Sequence, residues 1–98
     1  MSLKQIQQEV LANKIRHGFN TTNMEQEFCY LYKEVAEAYD AYYKQKSDLA
    51  EELADVAIFL LGIAEILGVD LETEIVKKVD KNRNRVYHIN EIGKPVHE

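Results

Sequence analysis

Glu34 and Glu37 stand three residues apart, and so do Glu52 and Asp55. Residues three apart are neighbours on one helix face, so each pair can direct two carboxylates at a single ion. Between the pairs lies a polar stretch around Gln45, Lys46 and Ser47 that reads as a turn. Measured from a centre between Gln45 and Lys46, the first pair sits about 10 residues before it and the second about 8 after it. At 1.5 Å per residue, antiparallel helices would bring the two pairs to within about 3 Å of the same height. Four carboxylates gathered without a cation repel and raise one another's pKa. Hard oxygen ligands of this kind suit Mg²⁺, with Mn²⁺ as a substitute. Glu34, Glu37, Glu52 and Asp55 are therefore the expected metal ligands.

A second group lies further along. Lys78, Asn82 and Arg85 follow a four-then-three spacing and share a helix face. Lysine and arginine offer charge to phosphate, and asparagine offers a hydrogen-bonding edge to a base or sugar. A helix end carrying cations near its negative pole has the same composition. His17 could approach a base or phosphate, although a histidine near a helix end is usually an ordinary surface residue. Other chemistries fit less well. Di-iron bundles use Glu-x-x-His pairs, and none of His17, His88 and His97 lies three after a glutamate. Cys29 is the sole cysteine. An intrachain disulfide is thereby excluded, in keeping with a reducing cytoplasm, and a lone helical cysteine reads as small core filler.

These residues need helices to position them, and helical spacing dominates the chain. The first helix is predicted over Leu3–Arg16, with Ser2 and Gln5 as a capping box and Gly18 as its stop. The second is predicted over 24–46. Its apolar stripe of Met24, Phe28, Leu31, Val35, Ala38 and Tyr42 carries Glu34 at one edge. The third, over 49–67, has Ser47 or Asp48 as its cap. From Leu53 to Leu67 it holds only Asp55 and Glu65 as ionisable residues, so it should be enclosed by other helices, with Asp55 kept from open solvent. Gly62 in its middle costs up to about 1 kcal/mol against alanine and would permit close packing. The fourth helix is predicted over 71–85, capped by Asp70. Residues 88–98 read as a C-terminal arm or tail.

At 98 residues the chain is expected to form one domain. Its fold class is expected to be all-α: a four-helix antiparallel bundle completed by homo-oligomerisation, because a core this small needs a partner subunit. The crowd of tyrosines on the second helix (Tyr30, Tyr32, Tyr39, Tyr42 and Tyr43) suits packing or subunit contacts. The net charge of −5, with no basic block, argues against a nucleic-acid duplex. The longest apolar run, residues 56–64, is too short for a membrane span, and the polar N-terminus does not read as a signal peptide.

The pattern Glu34-x-x-Glu37 followed by Glu52-x-x-Asp55 within EELADVAIFLLGIAEILGVDLE resembles the MazG-type all-α nucleotide pyrophosphohydrolases, and KKVDKNRNRVY is similar to that family's last-helix segment. The likeness covers roughly residues 13–87. It implies Mg²⁺-dependent hydrolysis of a ribo- or deoxynucleoside triphosphate to the monophosphate and pyrophosphate, in a cytoplasmic homodimer or homotetramer with sites built between subunits. It further implies that Glu34 or Glu37 helps to orient or deprotonate the attacking water. Lys78 and Arg85 would contact phosphate, and Asn82 the nucleotide. The N-terminal part has no tryptophan, which leaves Phe19 as the evident base-stacking aromatic. The alternative is a non-enzymatic helical dimerisation or nucleotide-sensing module. The base and sugar preferred stay open.

Overall fold

The computed structural model describes residues 1–85 and the backbone of two short strands beyond them. Four helices carry the fold: α1 (Leu3–Arg16), α2 (Met24–Tyr43), α3 (Leu49–Ile66) and α4 (Leu71–Arg83). Strands β1 (Tyr87–Ile89) and β2 (Pro95–His97) pair antiparallel. Apart from Tyr87 they fall in the segment 88–98 read from sequence as an arm or tail; its remaining residues lie outside the described ones.

The local signals explain where the helices start. Ser2 and Gln5 form the expected reciprocal capping box on α1. The Asn23 side chain caps α2 at Gln26, and Asp70 caps α4 at Thr73. Asp48 stands at the α3 cap position but makes no side-chain capping bond. Helices α2, α3 and α4 stop one to three residues short of the sequence expectation. After α2 the chain turns at Gln45, which takes a left-handed φ of 54°. After α1 and α3 it turns at Gly18 and Gly68, with φ of 69° and 73°, a conformation that costs glycine little.

Helix α3 is the hub: α2 packs along one side of it and α1 along another, while α4 leans on α1. Gly62 is where α1 comes closest. A methyl group at that position would lie 3.2 Å from Val10 Cγ1 and 3.7 Å from Lys14 Cδ. A Gly62→Leu substitution should therefore overpack the α1–α3 seam and destabilise by about 1–3 kcal/mol in chemical denaturation. Gln7, buried on α1, ties the α3–α4 turn. It donates to Glu65 Oε2 (3.0 Å) and the Val69 carbonyl (2.6 Å), and accepts from the Leu71 N–H (3.3 Å).

Enclosure is less complete than the sequence pattern predicts. The fully buried apolar residues are Ala38, Ala41, Leu61, Ile63 and Ala64. On α3, Leu53, Ile58 and Leu60 stay exposed, and on the α2 stripe so do Phe28, Val35 and Tyr42. Cys29 is exposed rather than core filler. Asp55 is exposed as well, against the expectation that it is kept from solvent. The physical reason is common to all: within one chain only α1 and α2 are available to cover α3, and one flank of each stays open. The radius of gyration, 16.7 Å, exceeds the ~13 Å of a compact domain of about 100 residues.

Candidate metal and nucleotide site

The α2–α3 hairpin does what equal heights across a turn predict. Carboxylate oxygens of Glu34, Glu37 and Glu52 lie within 4.8 Å of one another. Asp55, the fourth expected member, stands at the edge of this group. It is outside the tight cluster, yet near enough that its charge helps to raise the pKa of both Glu34 and Glu52. Desolvation is the largest cause of the upward shift at Glu34, followed by the charges of Glu37 and Asp55. Glu52 is raised first by desolvation, then by Asp48 and Glu37, with Lys46 opposing. Glu52 Oε2 is sealed from solvent and has no hydrogen-bond partner among the described residues. An enclosed, unpaired carboxylate oxygen is costly. Converging hard oxygen donors with one orphaned atom fit a divalent cation.

Beside the carboxylates, towards the α2–α3 turn, lies an open groove of about 520 Å³. Its walls include Glu37, Glu52, Asp48 and Asp40 together with Lys33 and Lys46. Lys46 Nζ donates to Asp40 Oδ2 at 2.9 Å, and Lys44 Nζ lies 3.0 Å from Asp40 Oδ1. These two hydrogen bonds hold the Asp40 carboxyl below its ordinary range, and the one from Lys46 raises its own ammonium.

On the other side of the carboxylates is a smaller, mainly apolar pocket of about 150 Å³. Phe19, Phe59, Ile58 and Val10 line it, with Asn13 and Lys14 as its polar members. Lys14 Nζ lies 5.4 Å from the centre of the Phe59 ring. Tyr30 meets Phe59 edge-on at 6.1 Å, and His17 stacks on Phe19 at 5.7 Å. Under the pocket, Lys14 pairs with Glu27, and Asn20 Nδ2 donates to the second Glu27 oxygen at 3.2 Å. Glu27 is 2% exposed.

The structure thus brings together three of the four sequence-predicted ligands and puts Phe19 in an aromatic pocket. Lys78, Asn82 and Arg85 are not among the residues lining the groove beside the carboxylates. They sit on and just after α4, whose partner is α1, and the carboxylate groove is lined by α2, α3 and their turn. Lys78 and Arg85 do lie near one another, since the Arg85 charge is the largest cause lowering the Lys78 pKa. Sequence reasoning missed Asp40, Lys46, Lys14 and Glu27. Lys46 stands six residues before Glu52, which a turn-centred count would have placed at the hairpin's closed end. The Lys14–Glu27 pair spans two helices and has no local signature.

The chain belongs to the MazG-like family, whose model matches residues 20–94. Over 67 residues it is 42% identical to a dATP/dGTP diphosphohydrolase of Salmonella phage PMBT28, a match covering 68% of this chain and 22% of that protein. Over 42 residues it is 43% identical to dCTP pyrophosphatase 1 of Rattus norvegicus, covering 43% of this chain and 25% of the relative. The chain thus matches about a quarter of the length of these curated relatives. Among solved structures, the cyanophage S-2L MazG-like pyrophosphohydrolase, bound to dGDP and three catalytic Mn²⁺ ions per active site, superposes with a TM-score of 0.78. That match has 26% identity and covers 100% of this chain and 94% of the cyanophage chain. No helix among the described residues is long and apolar enough to cross a membrane.

Proposed function

We propose that this chain hydrolyses a nucleoside triphosphate, with deoxynucleotides the favoured class, to the monophosphate and pyrophosphate with a divalent cation. The observation that carries this reading is the carboxylate cluster with its orphaned Glu52 oxygen. Glu34, Glu37, Glu52 and Asp55 would hold Mg²⁺ or Mn²⁺. When bound, such a cation lowers the pKa of water, orients phosphates and offsets developing charge. Glu34 or Glu37 takes the proton of the attacking water, as a positioned carboxylate can. The apolar pocket around Phe19 and Phe59 receives the base. Lys78 and Arg85 contact phosphate and Asn82 the nucleotide, from α4 of a second subunit.

A homodimer or homotetramer, as the family resemblance implies, would supply what one chain lacks. The exposed faces of α2 and α3 and the large radius of gyration support it, since an apolar surface of this extent marks an association site. The tyrosines Tyr39, Tyr42 and Tyr43 form one exposed aromatic group suited to such a contact. Sedimentation should give two or four copies per particle. The first test of activity is pyrophosphate release from a panel of ribo- and deoxynucleoside triphosphates with Mg²⁺, with Mn²⁺ and with chelator. Binding without release would favour a nucleotide-sensing module instead.

The raised carboxyls make stability depend on pH. Glu34 and Glu52 bind protons more tightly folded than unfolded. The stability they contribute is full below the ordinary value near 4.5 and is lost as pH rises through their raised values. In chelator, their contribution should lower the thermal midpoint as pH rises above the ordinary value near 4.5, and Glu34→Gln should flatten that decline. Saturating Mn²⁺ should reverse it, because the ion binds the ionised cluster and adds its binding energy to the folded state. Melts across a pH series, with and without metal, test this.

A further inference from the structure

The carboxylates, the lysine groove and the aromatic pocket occupy one face of the hairpin. Counting 100° per residue, Glu27, Tyr30, Glu34 and Asp40 all fall within roughly 80° of Glu37 on α2. On α3 and its cap, Asp48, Asp55, Phe59 and Gly62 all fall within roughly 80° of Glu52. The contacts agree with the geometry: Tyr30 meets Phe59, Glu34 feels Asp55, and Lys46 lines the groove with Glu37 and Glu52. A single strip therefore runs from an apolar end through the carboxylate centre to an end of mixed charge beside the turn, where Lys46 and Lys33 stand among Asp40 and Asp48.

A nucleoside triphosphate can lie along this strip in the order planar base, α-phosphate, then β- and γ-phosphates, with the Lys46 ammonium as the donor at its far end. With the base against Phe59, the polyphosphate tail points to the turn. We propose that Lys46 binds the β,γ-pyrophosphate end of the substrate and stabilises it as leaving group, with Asp40 as the positioning residue that holds the lysine there. This rests on the hydrolase reading above. In the step, a water oxygen bonds to the α-phosphorus and its proton passes to Glu34 or Glu37. The bond from the α-phosphorus to the bridging oxygen breaks, and its electron pair leaves on pyrophosphate. The Lys46 ammonium meets the charge that arrives on that end.

Lys46 is suited to this. Its ammonium carries three donors, Asp40 engages it at 2.9 Å, and its side chain remains 47% exposed within the groove. Asp40 is itself fixed from the other side by Lys44. An ammonium tethered by one carboxylate keeps donors for a polyanion, and a hydrogen bond to a charged group strengthens binding by about one to two orders of magnitude.

The test uses the full chain, with Lys46→Gln, Lys46→Arg and Asp40→Asn. Calorimetry measures inorganic pyrophosphate binding in the presence of Mn²⁺. Steady-state kinetics compares dATP, dGTP and dCTP with the corresponding diphosphates. Lys46→Gln should weaken pyrophosphate binding about tenfold or more and lower kcat/KM for the triphosphates about 10–100-fold, with a much smaller effect on the diphosphates. Lys46→Arg should recover most of the loss. Asp40→Asn should give a smaller loss of the same kind, with Mn²⁺ affinity and thermal midpoint held near wild type. Wild-type pyrophosphate binding in Lys46→Gln, with wild-type turnover, would overturn the role of Lys46 and leave the hydrolase reading standing. A wild-type protein that neither binds pyrophosphate with Mn²⁺ nor hydrolyses any of the nucleotides would overturn both.

Discussion

Replacing Glu37 with glutamine is expected to remove pyrophosphate release, by at least about 10²–10⁴-fold, while the fold survives. Glutamine keeps the size of the side chain and loses its charge, so it is a poorer ligand for a hard cation and cannot accept the proton of water. The fold has little reason to suffer. Glu37 pairs with Lys33 at 3.8 Å on the surface, where such pairs contribute little. The metal-free protein should be no less stable than wild type, since the Glu37 charge is among the causes that raise Glu34 and Glu52. The measurement is pyrophosphate release across the nucleotide panel, with thermal melts of both proteins in chelator. Turnover close to wild type would remove Glu37 from the chemistry. A large drop in midpoint would show that its role is structural.

The second large effect is on stability, at the Lys14–Glu27 pair. Lys14 comes from α1 and Glu27 from the first turn of α2, and their side chains are only 12% and 2% exposed. Asn20 supplies a further donor to Glu27. Lys14→Met should destabilise by about 3–5 kcal/mol, because it leaves the Glu27 carboxylate buried with Asn20 as its remaining side-chain donor. Much of that cost is desolvation of an unpaired charge, so the double substitution Lys14→Met with Glu27→Met should recover a large part of it. Urea unfolding of the two single variants and the double variant forms the required cycle. A double variant as unstable as the sum of the singles would contradict the argument. Lys14 also lines the aromatic pocket, so its loss should loosen the wall against which Phe59 rests.

Much of the architecture was legible in one dimension. Capping residues and glycines act over three or four positions, so Ser2, Asn23, Asp70, Gly18 and Gly68 define helix limits without help from the rest of the chain. The meeting of Glu34, Glu37 and Glu52 was legible for the same reason: helix rise and turn length are local quantities, and a hairpin converts them into equal heights. The C-terminal limits of α2 and α4 were overestimated, because neither helix has a glycine stop and helical spacing alone does not mark where the last turn ends.

The sequence by itself determined which segments are helical and which residues of α2 and α3 share a level. The tertiary structure decided everything that depends on a neighbour. An apolar face says that something must cover it but not what, so Leu53, Ile58, Val35 and Asp55 read as enclosed and are open within one chain. Charge pairing across helices has no periodic signature, so Lys14 with Glu27 emerged only once α1 was laid against the α2–α3 hairpin. Lys46 looked like part of a polar turn until the fold placed it in the carboxylate groove, because the direction of a turn side chain is set by the chain's path through the turn, here by the positive φ at Gln45, rather than by helical spacing.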